Sequence, residues 1–141
     1  MIHFVNADLI AGGLSPLRPE LAALAAGRVF LSELDRLANA KRDFAFESTL
    51  SGQIYLARLK KWKVAGYGVE IAFLRLTSPQ IALKRIAARA RQGGHNVPEI
   101  DVLRRFKRGW QNFCNVYRSL ADAWAVYDNS GATPILIERA L

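Results

Sequence analysis

The chain has 141 residues, 51% of them apolar, which fills one core and excludes two domains, collagen and wholesale disorder. Twenty Lys and Arg against twelve Asp and Glu leave a formal charge of +8. The pI near 10.2 points to an anionic partner: a nucleotide, a phosphorylated sugar, nucleic acid or an acidic membrane.

Cys114, the single cysteine, cannot form an internal disulfide, and two histidines without a second thiol argue against a metal site. The start, Met1-Ile2-His3-Phe4-Val5-Asn6-Ala7-Asp8, lacks a basic segment followed by an apolar one. No uncharged run approaches the ~18 residues of a membrane span. The default location is the cytoplasm, away from membranes.

In chain order, a strand is expected at Ile2 to Val5. A helix follows from Pro19 to about Ala40, with Leu24, Leu31, Leu34 and Ala38 as its apolar stripe. A second strand covers Phe44 to Phe46. Ser51 is positioned to cap a helix carrying Tyr55, Leu59 and Trp62 on one face, which Gly66 ends in a left-handed conformation. A third strand lies at Val69 to Leu76.

Ser78-Pro79 opens the next helix, whose buried side is Leu83, Ile86, Ala87 and Ala90, and Gly93-Gly94 stops it. Pro98 starts another, with Ile100, Leu103, Phe106 and Trp110 as its stripe and helical character to about Leu120. Strands at Trp124 to Tyr127 and Ile135 to Ile137, separated by the turn Asp128-Asn129-Ser130-Gly131, read as an antiparallel hairpin. Strands alternating with helices give an α/β fold, a mainly parallel sheet flanked by helices in a single domain over residues 1–141.

Ligands of open parallel sheets bind beyond the carboxyl ends of the strands. Asn6 and Asp8, then Glu47-Ser48-Thr49, then Asp128 and Asn129 follow strands in this way. Asp8 and Glu47 could share a cleft, one taking a proton from a substrate hydroxyl and the other binding a sugar. The plainer alternative has Asp8 capping a turn and Glu47 pairing with a lysine.

Between about residues 84 and 108, Lys84, Arg85, Arg89, Arg91, Arg104, Arg105, Lys107 and Arg108 flank Gly93-Gly94-His95-Asn96-Val97-Pro98. Two helices meeting at a glycine loop between arginines read as a lid, since guanidinium forks suit phosphate oxygens. The alternative is a solvated basic face. His95 could cap a helix end or touch a phosphate. No G-x-x-x-x-G-K-[ST] motif occurs, nor any Gly-Lys pair, so these residues contain no recognisable phosphate cradle.

Taken together, Phe4-Val5-Asn6-Ala7-Asp8-Leu9-Ile10-Ala11, Leu14-Ser15-Pro16, Phe44 to Gly52, Arg91 to Pro98 and Tyr127-Asp128-Asn129-Ser130 resemble the zeta toxin family of P-loop kinases. The resemblance implies a fold like that of nucleoside monophosphate kinases and phosphoryl transfer from ATP or GTP with Mg²⁺. It implies a nucleotide-sugar acceptor such as UDP-N-acetylglucosamine, and an antitoxin partner. By it, Asp8 is similar to the family's base. Glu47, Thr49 and Asn6 fall on the substrate side, and Arg91 and Arg104 are similar to groups touching the transferred phosphate. Arg85, Arg89, Arg105, Asp128 and Asn129 fall on the nucleotide side, with Arg108 as a further rival.

The resemblance also implies a strand, a Walker A loop and a helix before Phe4. That strand would lie between those at Phe44 to Phe46 and Val69 to Leu76. The expectation is therefore a truncated remnant, inactive as a kinase, in which these two strands close the gap and pair directly. A misassigned start, a split gene, or a second chain or N-terminal fragment inserting a strand are the alternatives. Non-catalytic binding of an anionic ligand or a protein partner is the alternative function. Trp62 and Trp110 fit helix stripes better than base-stacking platforms, which argues against nucleic acid.

Overall fold

The computed structural model describes residues 1–92 and 97–141, which divide into two compact units, Met1–Ser48 and Thr49–Leu141. Gly93 to Asn96, expected to stop the helix that opens at Ser78-Pro79 and including His95, lie outside the described residues.

In the first unit, β1 (His3–Val5) runs into α1 (Ala7–Leu14). A 3₁₀ turn at Pro19–Ala22 leads to α2 (Ala23–Asn39) and then β2 (Phe44–Phe46). β1 and β2 pair in parallel, Val5 opposite Phe46, as a two-stranded sheet. The stripe of α2 that is buried is Ala26, Phe30, Leu34 and Leu37, not the expected Leu24, Leu31, Leu34 and Ala38. Leu24 is 74% exposed. The face is chosen by what it meets: Phe30 packs edge-on against Phe46 of the sheet, with ring centroids 5.9 Å apart.

In the second unit, α3 (Leu56–Val64) precedes β3 (Glu70–Arg75), and α4 (Pro79–Arg91) and α5 (Glu99–Asn112) follow it. A π-helical segment, Phe113–Tyr117, and the short α6 (Arg118–Leu120) lead to β4 (Ala123–Asp128) and β5 (Ile135–Ala140). β3 and β4 are parallel and β4 and β5 antiparallel, so the expected hairpin is present. The core is aromatic: Phe113 is stacked on Phe73 at 4.9 Å and meets Trp124 edge-on at 5.8 Å.

Two expectations need correction here. The strands form two sheets, β1-β2 and β3-β4-β5, rather than one, so the strands expected to close a gap belong to different ladders. Each parallel pair is already joined by its own helical crossover, which satisfies the pairing rule locally. Ser51 does not cap α3, which begins at Leu56; its hydroxyl lies 2.9 Å from the Thr49 hydroxyl instead.

α3 ends as expected at Gly66, with φ +100°. The Gly66 N–H donates to Lys63 O and the Tyr67 N–H to Trp62 O, the paired bonds of a Schellman ending. α2 ends in the same pattern, Lys41 N–H to Ala38 O and Arg42 N–H to Leu37 O, but with Lys41 at φ +55°. Beyond α3, the Asp122 carboxylate accepts the Val69 N–H at 2.7 Å and the Lys63 ammonium at 3.1 Å. The Val69 bond first, then Lys63, holds this carboxyl below its ordinary range.

Among the described residues no helix is long and apolar enough to cross a membrane.

Candidate functional site

In the first unit the parallel register sets the candidate acidic residues at one end of the sheet. Val5 and Phe46 are partners, so Asn6 and Glu47 both leave from the carboxyl ends of adjacent strands. Asn6 is the N-cap of α1, its side-chain oxygen accepting the Leu9 N–H at 3.0 Å. This commits Asn6 to ending the helix. Asp8 lies exposed in the first turn of α1, where a negative charge suits the helix N-terminus, and Glu47 is exposed just past β2.

The second unit contains a cleft of about 730 Å³ at the carboxyl end of β3, lined also by α4 and α5. Its floor is apolar, with Phe73, Ile86, Phe106 and Trp110 among the lining residues. α4 has no fully buried residue, and of its expected stripe Ile86 lines the cleft while Ala87 is exposed; on α5, Leu103, Phe106 and Trp110 line the cleft instead of entering the core, while Ile100 is 77% exposed. Val102 and Gly109 are the residues α5 buries.

The cleft wall is cationic. Arg85 and Arg89 reach it from α4, Arg105 and Lys107 from α5, and Arg75 from the last position of β3; among the described residues no carboxylate belongs to the lining. Among the described residues, Arg89, Arg105 and Lys107 have no ion-pair partner. Guanidinium and ammonium groups around an apolar floor suit an organic anion, the guanidinium fork matching phosphate oxygens. Arg91 is exposed at the end of α4 and outside the lining, and Arg104 is ion-paired with Asp101 at 3.2 Å along α5. Lys107 belongs to the basic run already read as a lid, whereas Arg75 was not singled out from the sequence; its place at a strand end was the available signal.

Thr49 and Asn129 also line the cleft. Thr49 is held there by α5, on which the segment Thr49–Gly52 is strapped. Gly109 faces the Thr49 carbonyl so closely that a Cβ would collide with it. Asn112 donates to Leu50 O at 2.7 Å, and the fully buried Tyr117 donates its hydroxyl to Gly52 O at 2.7 Å. Leu50 itself sits at φ +54°, a left-handed conformation that a non-glycine residue keeps when its surroundings enforce it.

Asn129 follows β4, its N–H donating to Arg75 O at 2.8 Å. The Asp128 carboxylate accepts the Ser130 N–H at 2.9 Å, and Ser130 in turn accepts the Thr77 N–H at 2.8 Å through its hydroxyl. The Ser130 bonds, aided by the charge of Arg75, hold the Asp128 carboxyl below its ordinary range. Asp128 is thereby built into the turn between β4 and β5, which hydrogen bonds tie to the end of β3.

An uncharacterised protein of Haemophilus influenzae is 33% identical over 102 residues, 72% of this chain and 73% of the relative. No solved structure matches the chain. The family model described as zeta toxin matches residues 19–139, a span that includes Glu47, Thr49 and the cationic cleft, with Asn6 and Asp8 before it. With that match covering most of its length, the chain belongs to the zeta toxin family.

Proposed function

We propose that the chain is a zeta toxin-like kinase for phosphorylated small molecules, inactive in transfer as these 141 residues alone, whose second unit binds an anionic ligand through the cleft between α4 and α5. The observation that carries this reading is the lining itself: Arg85, Arg89, Arg105 and Lys107 around an apolar floor, with no carboxylate among the described lining residues. Such a cleft neutralises phosphate charge while taking up the less polar part of the same molecule.

By the family resemblance, the substrate class is a nucleotide sugar such as UDP-N-acetylglucosamine and the donor ATP or GTP. Asp8 would accept the proton of the acceptor hydroxyl, Glu47 and Thr49 would hold the sugar, and Arg91 and Arg104 would touch the phosphate in transfer. Arg85, Arg89, Arg105, Asp128 and Asn129 would belong to the nucleotide. An antitoxin or a further N-terminal segment would be the protein partner, and the cytoplasm the place of action.

Mg²⁺ does not fit the cleft, whose donors are all cations, neutral amides, a hydroxyl and backbone groups. The 141 residues also contain no G-x-x-x-x-G-K-[ST] loop for the β- and γ-phosphates. Positioning dominates phosphoryl transfer, so these residues by themselves should bind without turnover. Non-catalytic binding is accordingly the second reading.

Calorimetry with UDP-N-acetylglucosamine tests the proposal, expecting saturable binding that Arg89→Ala with Arg105→Ala weakens at least about tenfold. Absence of binding would overturn it. A labelled-ATP assay on the same chain should detect no sugar phosphorylation, and robust transfer would show that a phosphate cradle is not required.

A further inference from the structure

Resting on the cleft reading just given, we propose that Arg75 is a ligand-binding residue of the cleft, held in place by the indole of Trp110. Its guanidinium lies 4.0 Å from the Trp110 ring centroid, and both residues belong to the lining. Trp110 is itself fixed, meeting Phe73 edge-on at 5.3 Å and lying 5.8 Å from Phe113, which is fully buried. The platform under Arg75 is therefore braced by the aromatic core.

Arg75 acts on Asp128 through its charge but forms no ion pair with it among the described residues. Asp128 stands opposite it in the β3-β4 register. Yet the Asp128 carboxylate accepts the Ser130 N–H, and among the described residues Arg75 makes no ion pair. A guanidinium lying over an aromatic face gives that ring its π contact and keeps its N–H donors, which lie in its own plane, for an oxyanion.

Arg75 comes from a strand end, whereas Arg89 and Arg105 come from helices on either side. The three guanidinium groups thus approach the cleft from three different elements. An anion with oxygens on more than one phosphorus would use them together.

Calorimetry of the full chain with inorganic pyrophosphate, at one fixed ionic strength, tests this. Arg75→Gln should weaken binding about tenfold, and Arg75→Lys should recover part of the loss, because an ammonium restores the charge and not the fork. Trp110→Phe should weaken binding while Arg75 is intact. Arg118→Gln serves as control: Arg118 lies over Trp124 at 5.4 Å, outside the lining, and its loss should leave binding unchanged. Circular dichroism checks that each variant is folded.

Wild-type affinity in Arg75→Gln, with loss in the Arg89→Ala, Arg105→Ala double variant, would overturn the role of Arg75 and leave the cleft standing. Equal losses in Arg75→Gln and Arg118→Gln would reduce the effect to net charge and overturn it as well. No pyrophosphate binding to the wild type would overturn both readings.

Discussion

The two units use the same βαβ device and finish it differently. In residues 1–48 the sheet has two strands of three residues each, and the core rests on α2 against one aromatic face. In residues 49–141 three strands of six residues carry an aromatic cluster, and the Thr49–Gly52 strap is bonded to α5 and the π-helical segment. Even helix endings differ: the Schellman turn after α3 uses Gly66, whereas the one after α2 forces Lys41 into the left-handed region. A two-stranded sheet is marginal alone, so the first unit leans on its helices.

The largest expected effects come from cutting each core. Phe113→Ala removes a side chain with 0% exposure and should cost about 3–5 kcal/mol, and Leu34→Ala, also 0% exposed, about 3 kcal/mol. Hydrogen exchange should show protection lost first in residues 49–141 for the former and in residues 1–48 for the latter. Loss spread evenly over both ranges in either variant would erase the distinction drawn between them.

Gly109→Ala should cost about 1–3 kcal/mol, because the added methyl meets the backbone carbonyl of Thr49, which cannot rotate aside as a side chain could. Its sharper readout is the cleft: ligand affinity should fall as Thr49 is displaced, measurable by calorimetry alongside the melting temperature. Unchanged affinity would show that the strap does not position Thr49.

Lys41→Gly should act in the opposite direction, raising stability by about 1 kcal/mol by relieving a left-handed non-glycine residue. Chemical denaturation measures it. The matching change Gly66→Ala should lower stability, and the same sign for both would mean that the two endings are not equivalent.

Asp122→Asn gives the smallest and most pH-dependent change. The folded carboxyl titrates below its ordinary range because it accepts the Val69 N–H and faces Lys63. The stabilisation is therefore present above the unfolded-state value of about 3.9 and disappears as pH falls through the lower folded value. Thermal melts should show wild type and Asp122→Asn separated at neutral pH and converging in acid.

Much of the fold was legible in the sequence because its signals are local. Phe44 to Phe46 reads as a strand from its own residues, Gly66 as a helix ending from its lack of a Cβ, and Asp128 to Gly131 as a turn from side chains that bond their own backbone. The helical spacing of Leu103, Phe106 and Trp110 was equally legible, but spacing does not say whether a stripe meets a core or a cleft. Of the candidate site, Arg85, Arg89 and Arg105 could be selected by charge density along two helices. Arg75 could not, since no run of charge surrounds it and its place at a strand end was the available signal.

The sequence by itself determined the strands, the longer helices and their order, though not α1 or the π-helical segment, and with them the basic balance and the family, because propensity, capping and composition act within a few residues. Tertiary structure alone decided that the strands divide into two sheets, that α2 buries Phe30 rather than Leu24, and that Arg75 lies on Trp110 rather than in an ion pair with Asp128. Those outcomes depend on which surfaces meet across tens of residues of chain. Packing at such distances compares whole faces, a comparison that no window of neighbouring residues contains.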